Sequence, residues 1–299
     1  MALGGNPIFN GKSFRGATQA PPVPQAPYGQ QAYGQAPYGQ QPYGQAPYGQ
    51  QAYGQPQNMT NEQLQQMYNQ PAAGPADTGR MTFDDVIVKT AACLGVLLVG
   101  AAVTMFVSMG LASLLMIVGA LGGFVLALVN TFKKQPSPAL ILAYAGLEGL
   151  FLGGLTRVLD TMYPGVGLQA VLGTLSVFTV TLLLFKSGKV RATPKAMKFF
   201  MIAMVGYALF SVVNLIMMVT GLTTEPFGLR SGIIGVVIGI LAIGLAAFSL
   251  VMDFTSIEAG VRSGAPQRFS WTAAFGLTVT LVWLYVEIIR LLAILRGDE

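Results

Sequence analysis

The sequence contains no histidine, and its only cysteine is Cys93. Without imidazole there is no Ser–His or Cys–His nucleophile, no histidine-held haem and no ordinary zinc-hydrolase site. A lone thiol cannot build a disulfide framework or a thiolate cluster. Cys93 stands in an apolar run at helical spacing and reads as a core residue. Charge is equally scarce. Only 10% of the 299 residues are charged, against roughly 25% in soluble domains. Residues 1–79 hold almost no Val, Ile or Leu, so the apolar content is concentrated in 86–295. Water cannot solvate such a segment, whereas a bilayer can. MALGGNPIFNGKSFRG lacks the apolar stretch of a cleavable signal peptide, and the first apolar span is therefore expected to direct insertion.

What residues 1–79 do contain is a repeat. Residues 26–55 read APYGQ QAYGQ APYGQ QPYGQ APYGQ QAYGQ, six pentapeptides with Tyr28, Tyr33, Tyr38, Tyr43, Tyr48 and Tyr53 in register. Gly in every unit raises the entropy lost on ordering, and Pro in most units withholds backbone donors. With no aliphatic side chains to bury, this tail is expected to be disordered. Three readings stay open for it: a solvated spacer, weak Tyr/Gln/Gly self-association, or docking of a partner in polyproline II form. MTNEQLQQMYN (59–69) carries a short helix signal with Thr60 or Asn61 as cap.

From residue 80 to 299 the chain reads as an all-α membrane domain, a bundle of seven transmembrane helices. Apolar segments at 86–108, 111–132, 138–159, 164–185, 197–221, 231–255 and 271–295 are each long enough for a hydrocarbon core of about 30 Å. Turn chemistry separates them: Ser108-Met109-Gly110, Lys133 to Pro136, Tyr163-Pro164-Gly165, Lys186 to Pro194, Thr224-Glu225-Pro226 and Gly264-Ala265-Pro266. No strict two-residue alternation supports a barrel. Gly149 with Gly153, and Gly235 with Gly239, are spaced for close helix contact.

Lys133, Lys134, Lys186, Lys189, Arg191, Lys195, Lys198, Arg262 and Arg268 fall in loops on one side, and Arg230 alone falls in those opposite. By the positive-inside rule the N-terminus is cytoplasmic and the C-terminus outside, in a cell membrane. The net charge of +5 is thus spread for topology, and no basic stripe interleaved with aromatics suggests nucleic acid. The bilayer is the expected partner, and the composition leaves oligomeric state open.

Ionisable residues inside spans suggest function. Glu148 lies mid-span in ALEGLFLGG, Asp253 near the inner end of the sixth span in FSLVMDFTSIE, and Glu287 deep in the seventh in VWLYVEIIRLLAIL. Arg157 and Arg290 sit near outer ends, and Lys89 near the inner face, from which all three can snorkel. Arg157 with Asp160, and Glu287 with Arg290, are three apart and suited to pairing on one helix. Glu148 is expected to have no partner on its own helix.

LVMDFTSIE followed by LYVEIIRLLAIL resembles the last two helices of the Bax inhibitor-1/YccA-like family, and AGLEGLFLGG resembles its Gly-containing early helix. The resemblance covers residues 84–299 and excludes the tail. It implies a carboxylate pair, Asp253 with Glu287, that binds a proton or a transient Ca²⁺ and governs a pH-sensitive calcium leak. Glu287 stands where many members carry aspartate. Lys133 and Lys134 fall where some members carry a basic latch, with Lys in place of Arg; Glu148 and Arg290 are supporting candidates. Two nearby carboxylates cannot both ionise cheaply in a low dielectric, so proton and Ca²⁺ would compete. By helical rise, Asp253 lies about 13 Å before Arg262 and Glu287 about 24 Å past Trp271, level only if the seventh helix starts well inside the cytoplasm.

No resident cofactor is implied. The alternative to a leak is a regulatory protein that binds other membrane proteins, such as a membrane protease, through the tail. An intramembrane enzyme fits least: histidine is absent, and Asp253 lacks the flanking glycines of a paired-aspartate protease.

Overall fold

In the computed structural model the described residues are 79–297, apart from positions 224 and 226. The pentapeptide repeat, the expected disorder of the tail and the helix signal at 59–69 all lie outside them.

Seven long helices account for most of the described chain: α1 (Phe83–Phe106), α2 (Met109–Phe132), α3 (Pro138–Met162), α4 (Val166–Lys186), α5 (Pro194–Val219), α6 (Gly232–Arg262) and α7 (Ser270–Gly297). All seven are long and apolar enough to cross a membrane. Their ends follow from local chemistry. Thr82 caps α1 by accepting from the Asp85 amide at 3.1 Å, with Asp84 and Asp85 in the positively polarised first turn. Pro138 and Pro194 stand in the first turns of α3 and α5, where no backbone donor is required. The reversal between α3 and α4 runs through Gly165 at φ 84°, a left-handed conformation open to glycine.

Several helices extend beyond the apolar runs that mark them in the sequence, α6 the furthest. α5 begins at Pro194 instead of 197, and α6 continues to Arg262 instead of 255. The 31 residues of α6 span about 46 Å, more than a hydrocarbon core, so its last turns project into the aqueous phase. There Glu258 receives Arg191 at 2.5 Å and Arg262 at 2.6 Å. Helix continuation is a backbone property, whereas the edge of an apolar run marks only the edge of the bilayer.

α7 is the central helix. Of its most apolar 18-residue stretch 67% is buried, against 6% in α5. It is apolar all round, as a helix enclosed by others should be, and packs on α1, α4 and α6. α3 forms the second hub, against α1 and α2. Small residues permit that approach: a Cβ on Gly149 would overlap the Leu97 carbonyl, and one on Gly153 would overlap the Ala101 carbonyl and the Thr104 hydroxyl. Gly239 faces Leu291 of α7, while Gly235 lies against the Arg230 carbonyl and Ile294. Both glycine pairs expected from spacing are therefore contact positions.

An odd number of crossings puts Phe83 and Gly297 on opposite faces. At the face where α1 begins, residues 79–81 clip onto the α6–α7 loop, with Met81 N donating to Ala265 O at 2.7 Å and Gln267 N to Gly79 O at 2.8 Å. Lys89 does not simply snorkel there: it pairs with Asp85 at 3.4 Å and sits 5.8 Å from the Trp271 ring centroid.

Candidate functional site

The acids of the last two helices lie on the contact between α6 and α7. Ser249, Asp253 and Ser256 follow one another by four and three residues, which places them on one stripe of α6, and all three are buried. Asp253 has no exposed surface. Its Oδ2 accepts from Thr280 Oγ1 of α7 at 2.6 Å, and the Ser256 hydroxyl donates to the Met252 carbonyl at 2.9 Å. The Thr280 hydroxyl thus reaches the aspartate across the α6–α7 interface.

Glu287 sits in a different environment. Arg230 Nη2 donates to its Oε2 at 2.7 Å, and Arg290 Nη1 lies 3.0 and 3.1 Å from its two oxygens. The Tyr207 hydroxyl of α5 donates to Oε1, and the Arg230 guanidinium lies 5.2 Å from the Tyr207 ring centroid. Arg230 is placed by the turn before α6: Leu229 N donates to Asn214 Oδ1 at 2.6 Å, and Asn214 Nδ2 to Phe227 O at 3.3 Å. One carboxylate thus joins α5, the α5–α6 turn and α7. The intrahelical Glu287–Arg290 pair expected from spacing is present, and Arg230 is the member that sequence reasoning missed. It counts there as a loop charge, yet it is 4% exposed. Being the single basic residue of its loop was the one available signal.

The two acids share a helix pair but not a depth. Thr280, the partner of Asp253, precedes Glu287 by seven residues, about 10 Å of helix. α7 begins at Ser270, so it does not start deep enough to bring the two level. Asp253 has Thr280 among its partners, and Glu287 has Arg230, Arg290 and Tyr207.

The chain matches the family model described as Bax inhibitor 1 like over residues 6–297. It belongs to the Bax inhibitor 1 like family. The match begins at residue 6, so the family extends into the repeat-rich segment that the resemblance at 84–299 left out. No curated protein matches the chain.

The other residues read onto this Bax inhibitor 1 like chain fall as follows. Glu148 is buried in α3 against Gly123 of α2, whose Cβ would lie 2.8 Å from Glu148 Oε1. Tyr144, also buried, stands one turn earlier on the same helix. Lys133 and Lys134 are exposed at the end of α2, and neither joins an ion pair among the described residues. They make no latch onto either carboxylate. Arg157 and Asp160 do not pair: Arg157 donates to the Thr104 carbonyl at 2.8 Å and to that of Val107 at the end of α1, while Asp160 accepts from Gly165 N at 2.9 Å. Unpaired carbonyls and amides at helix ends outcompete a neighbouring side chain. Among the described residues no three acids or thiols converge as metal ligands.

Proposed function

We propose that this Bax inhibitor 1 like protein is a pH-responsive cation leak whose proton- and ion-exchanging group is Asp253, with Glu287 as the charge that holds the outer half of the bundle shut. The reading rests on one observation: a carboxylate without exposed surface, on the α6–α7 contact, with a hydroxyl from α7 at 2.6 Å. Leaving an ionised carboxylate in such a place is expensive, and a proton or a passing cation offsets that expense. A Ca²⁺ crossing the membrane would take Asp253 as one transient oxygen ligand and water for most of the rest. Glu287, already shared by two guanidinium groups and a phenol, is a poor cation ligand and a good clamp.

The basic loops put the N-terminus in the cytoplasm and the C-terminus outside. Cys93 is buried, so introduced thiols read this directly. Lys189→Cys should take a membrane-impermeant maleimide only after permeabilisation, and Leu222→Cys should take it in intact cells; the reverse pattern inverts the topology.

The test of the leak is calcium efflux from proteoliposomes between about pH 6 and 8. Asp253→Asn, fixed in its neutral form, should conduct without pH dependence or not at all. A pH-dependent flux unchanged in Asp253→Asn removes Asp253 from the role.

The six tyrosine repeats support a second role, regulation of another membrane protein through the tail. Deleting residues 1–79 should then abolish crosslinked partner recovery while leaving efflux intact. Neither role requires catalysis by this chain.

A further inference from the structure

Away from the acids, a cavity of about 570 Å³ lies between α1 and α4, within the range of about 300–1,000 Å³ typical of small-molecule sites. Its floor is α3 and α7, where Leu152, Val282 and Tyr285 are buried. Its rim is exposed, with Leu98 of α1 at 63% and Leu168 of α4 at 68%. The cavity therefore opens sideways, toward the bilayer, instead of along the bundle axis.

Depth identifies what it holds. Along α1 the wall runs from Leu94 to Met105, and along α4 from Gly165 to Leu175. These runs measure about 16 Å and 15 Å of helix. Both start near the face where α3 ends and stop near mid-membrane, so the groove covers one leaflet, half of a core of about 30 Å. Polarity follows the same axis. Asp160, Thr156 and Tyr285 lie toward the interfacial end, while Leu94, Leu175 and Leu281 line the deep end together with Thr174, whose hydroxyl is turned onto its own helix.

The polar groups on the wall are already engaged. Thr156 Oγ1 donates to the Leu152 carbonyl and lies 2.6 Å from the Tyr285 hydroxyl, Thr174 donates to the Ala170 carbonyl, and Asp160 accepts from Gly165 and Gly167. Nothing in the groove asks for a polar ligand.

We infer that this groove is a binding site for one acyl chain of a phospholipid in the leaflet on the C-terminal side, threaded between α1 and α4 with its methyl end at mid-membrane. The chain fills the space that α1 and α4 leave over α7, and so couples the bilayer to the central helix.

The experiment uses the full-length protein in phosphatidylcholine vesicles containing a small fraction of lipid with a photoreactive diazirine on one acyl chain, and maps adducts by peptide mass spectrometry. A diazirine near the methyl end should mark Leu94 and Leu175; one near the carboxyl end should mark Met105 and Leu168. Density in the groove should exceed that on the exposed α5 face at Ile202, Val205 and Leu209 by roughly tenfold, the enrichment expected for a retained chain. Val171→Trp, which plugs the groove, should lower its labelling to the α5 level, and Val205→Trp should leave it unchanged. Loss of the depth order overturns a chain threaded methyl end inward; equal density on all faces overturns the proposal and leaves ordinary annular lipid. An unlabelled groove also overturns it and points to a helix of a second copy as occupant. The ratio of groove to α5 labelling is read in the wild-type protein, so it decides the question even where Val171→Trp does not fold.

Discussion

Arg230 and Glu287 should be worth far more as a pair than as separate residues. Their side chains are 5% and 3% exposed and meet at 2.7 Å. Two magnitudes compete. A polar contact between membrane helices averages only about 0.6 kcal/mol and reaches about 1.7. Removing one partner of a buried ion pair costs about 3–5 kcal/mol, because the other charge is stranded. The burial of both side chains makes the second estimate govern. Glu287→Met should be the worse single change, about 3–5 kcal/mol, since it leaves two guanidinium groups side by side with Arg230 enclosed. Arg230→Met should cost less, about 2–3 kcal/mol, because Arg290 and Tyr207 still hold the carboxylate. The double change should lose less than either single. The remaining Arg290, 25% exposed in its side chain, can turn to the interface. Unfolding in bicelles by denaturant titration would read all four corners of the cycle. Coupling of at least about 2 kcal/mol is expected. Single losses that simply add in the double, to within about 0.5 kcal/mol, would refute the idea that this carboxylate clamps the outer half of the bundle.

Gly149→Leu and Gly153→Val should prevent folding or lower the melting temperature sharply, because each new Cβ meets the α1 backbone; Gly244→Ala, with nothing within 4 Å, should be neutral in the same melt. Thr280→Val removes the hydroxyl donated to Asp253 and should cost about 1 kcal/mol in stability, while shifting the pH midpoint of efflux; an unchanged midpoint separates Thr280 from the ion step. Arg191→Ala breaks a pair whose arginine is 46% exposed, so its cost should stay below about 1 kcal/mol and vanish at high salt; a larger, salt-insensitive loss contradicts a surface contact.

Much of this molecule is determined one residue at a time. Seven apolar runs, each long enough for the bilayer and separated by Pro, Gly and Lys, set the helix count, because in hydrocarbon a span must satisfy its own backbone. The glycines at 149, 153 and 239 mark contact faces for a similar reason: without a hydrophobic drive between helices, close approach needs small residues. The family too was legible, in LVMDFTSIE and LYVEIIRLLAIL.

The depths of the charges were not legible, and they are what separates one site from another. Nothing in the chain near Asp253 says that it meets Thr280, since that depends on where α6 and α7 begin and how they slide past each other. Arg230 reads as a loop residue until Asn214 folds the turn inward over Glu287. Arg157 and Asp160 are placed to pair, yet each finds a helix end that needs it more. The groove between α1 and α4 is likewise a property of no helix, only of the space two of them leave. Local sequence determines what must be buried in lipid; tertiary packing alone determines which buried group is its neighbour, because a register shift of two turns leaves every helix as stable in itself and changes every partner.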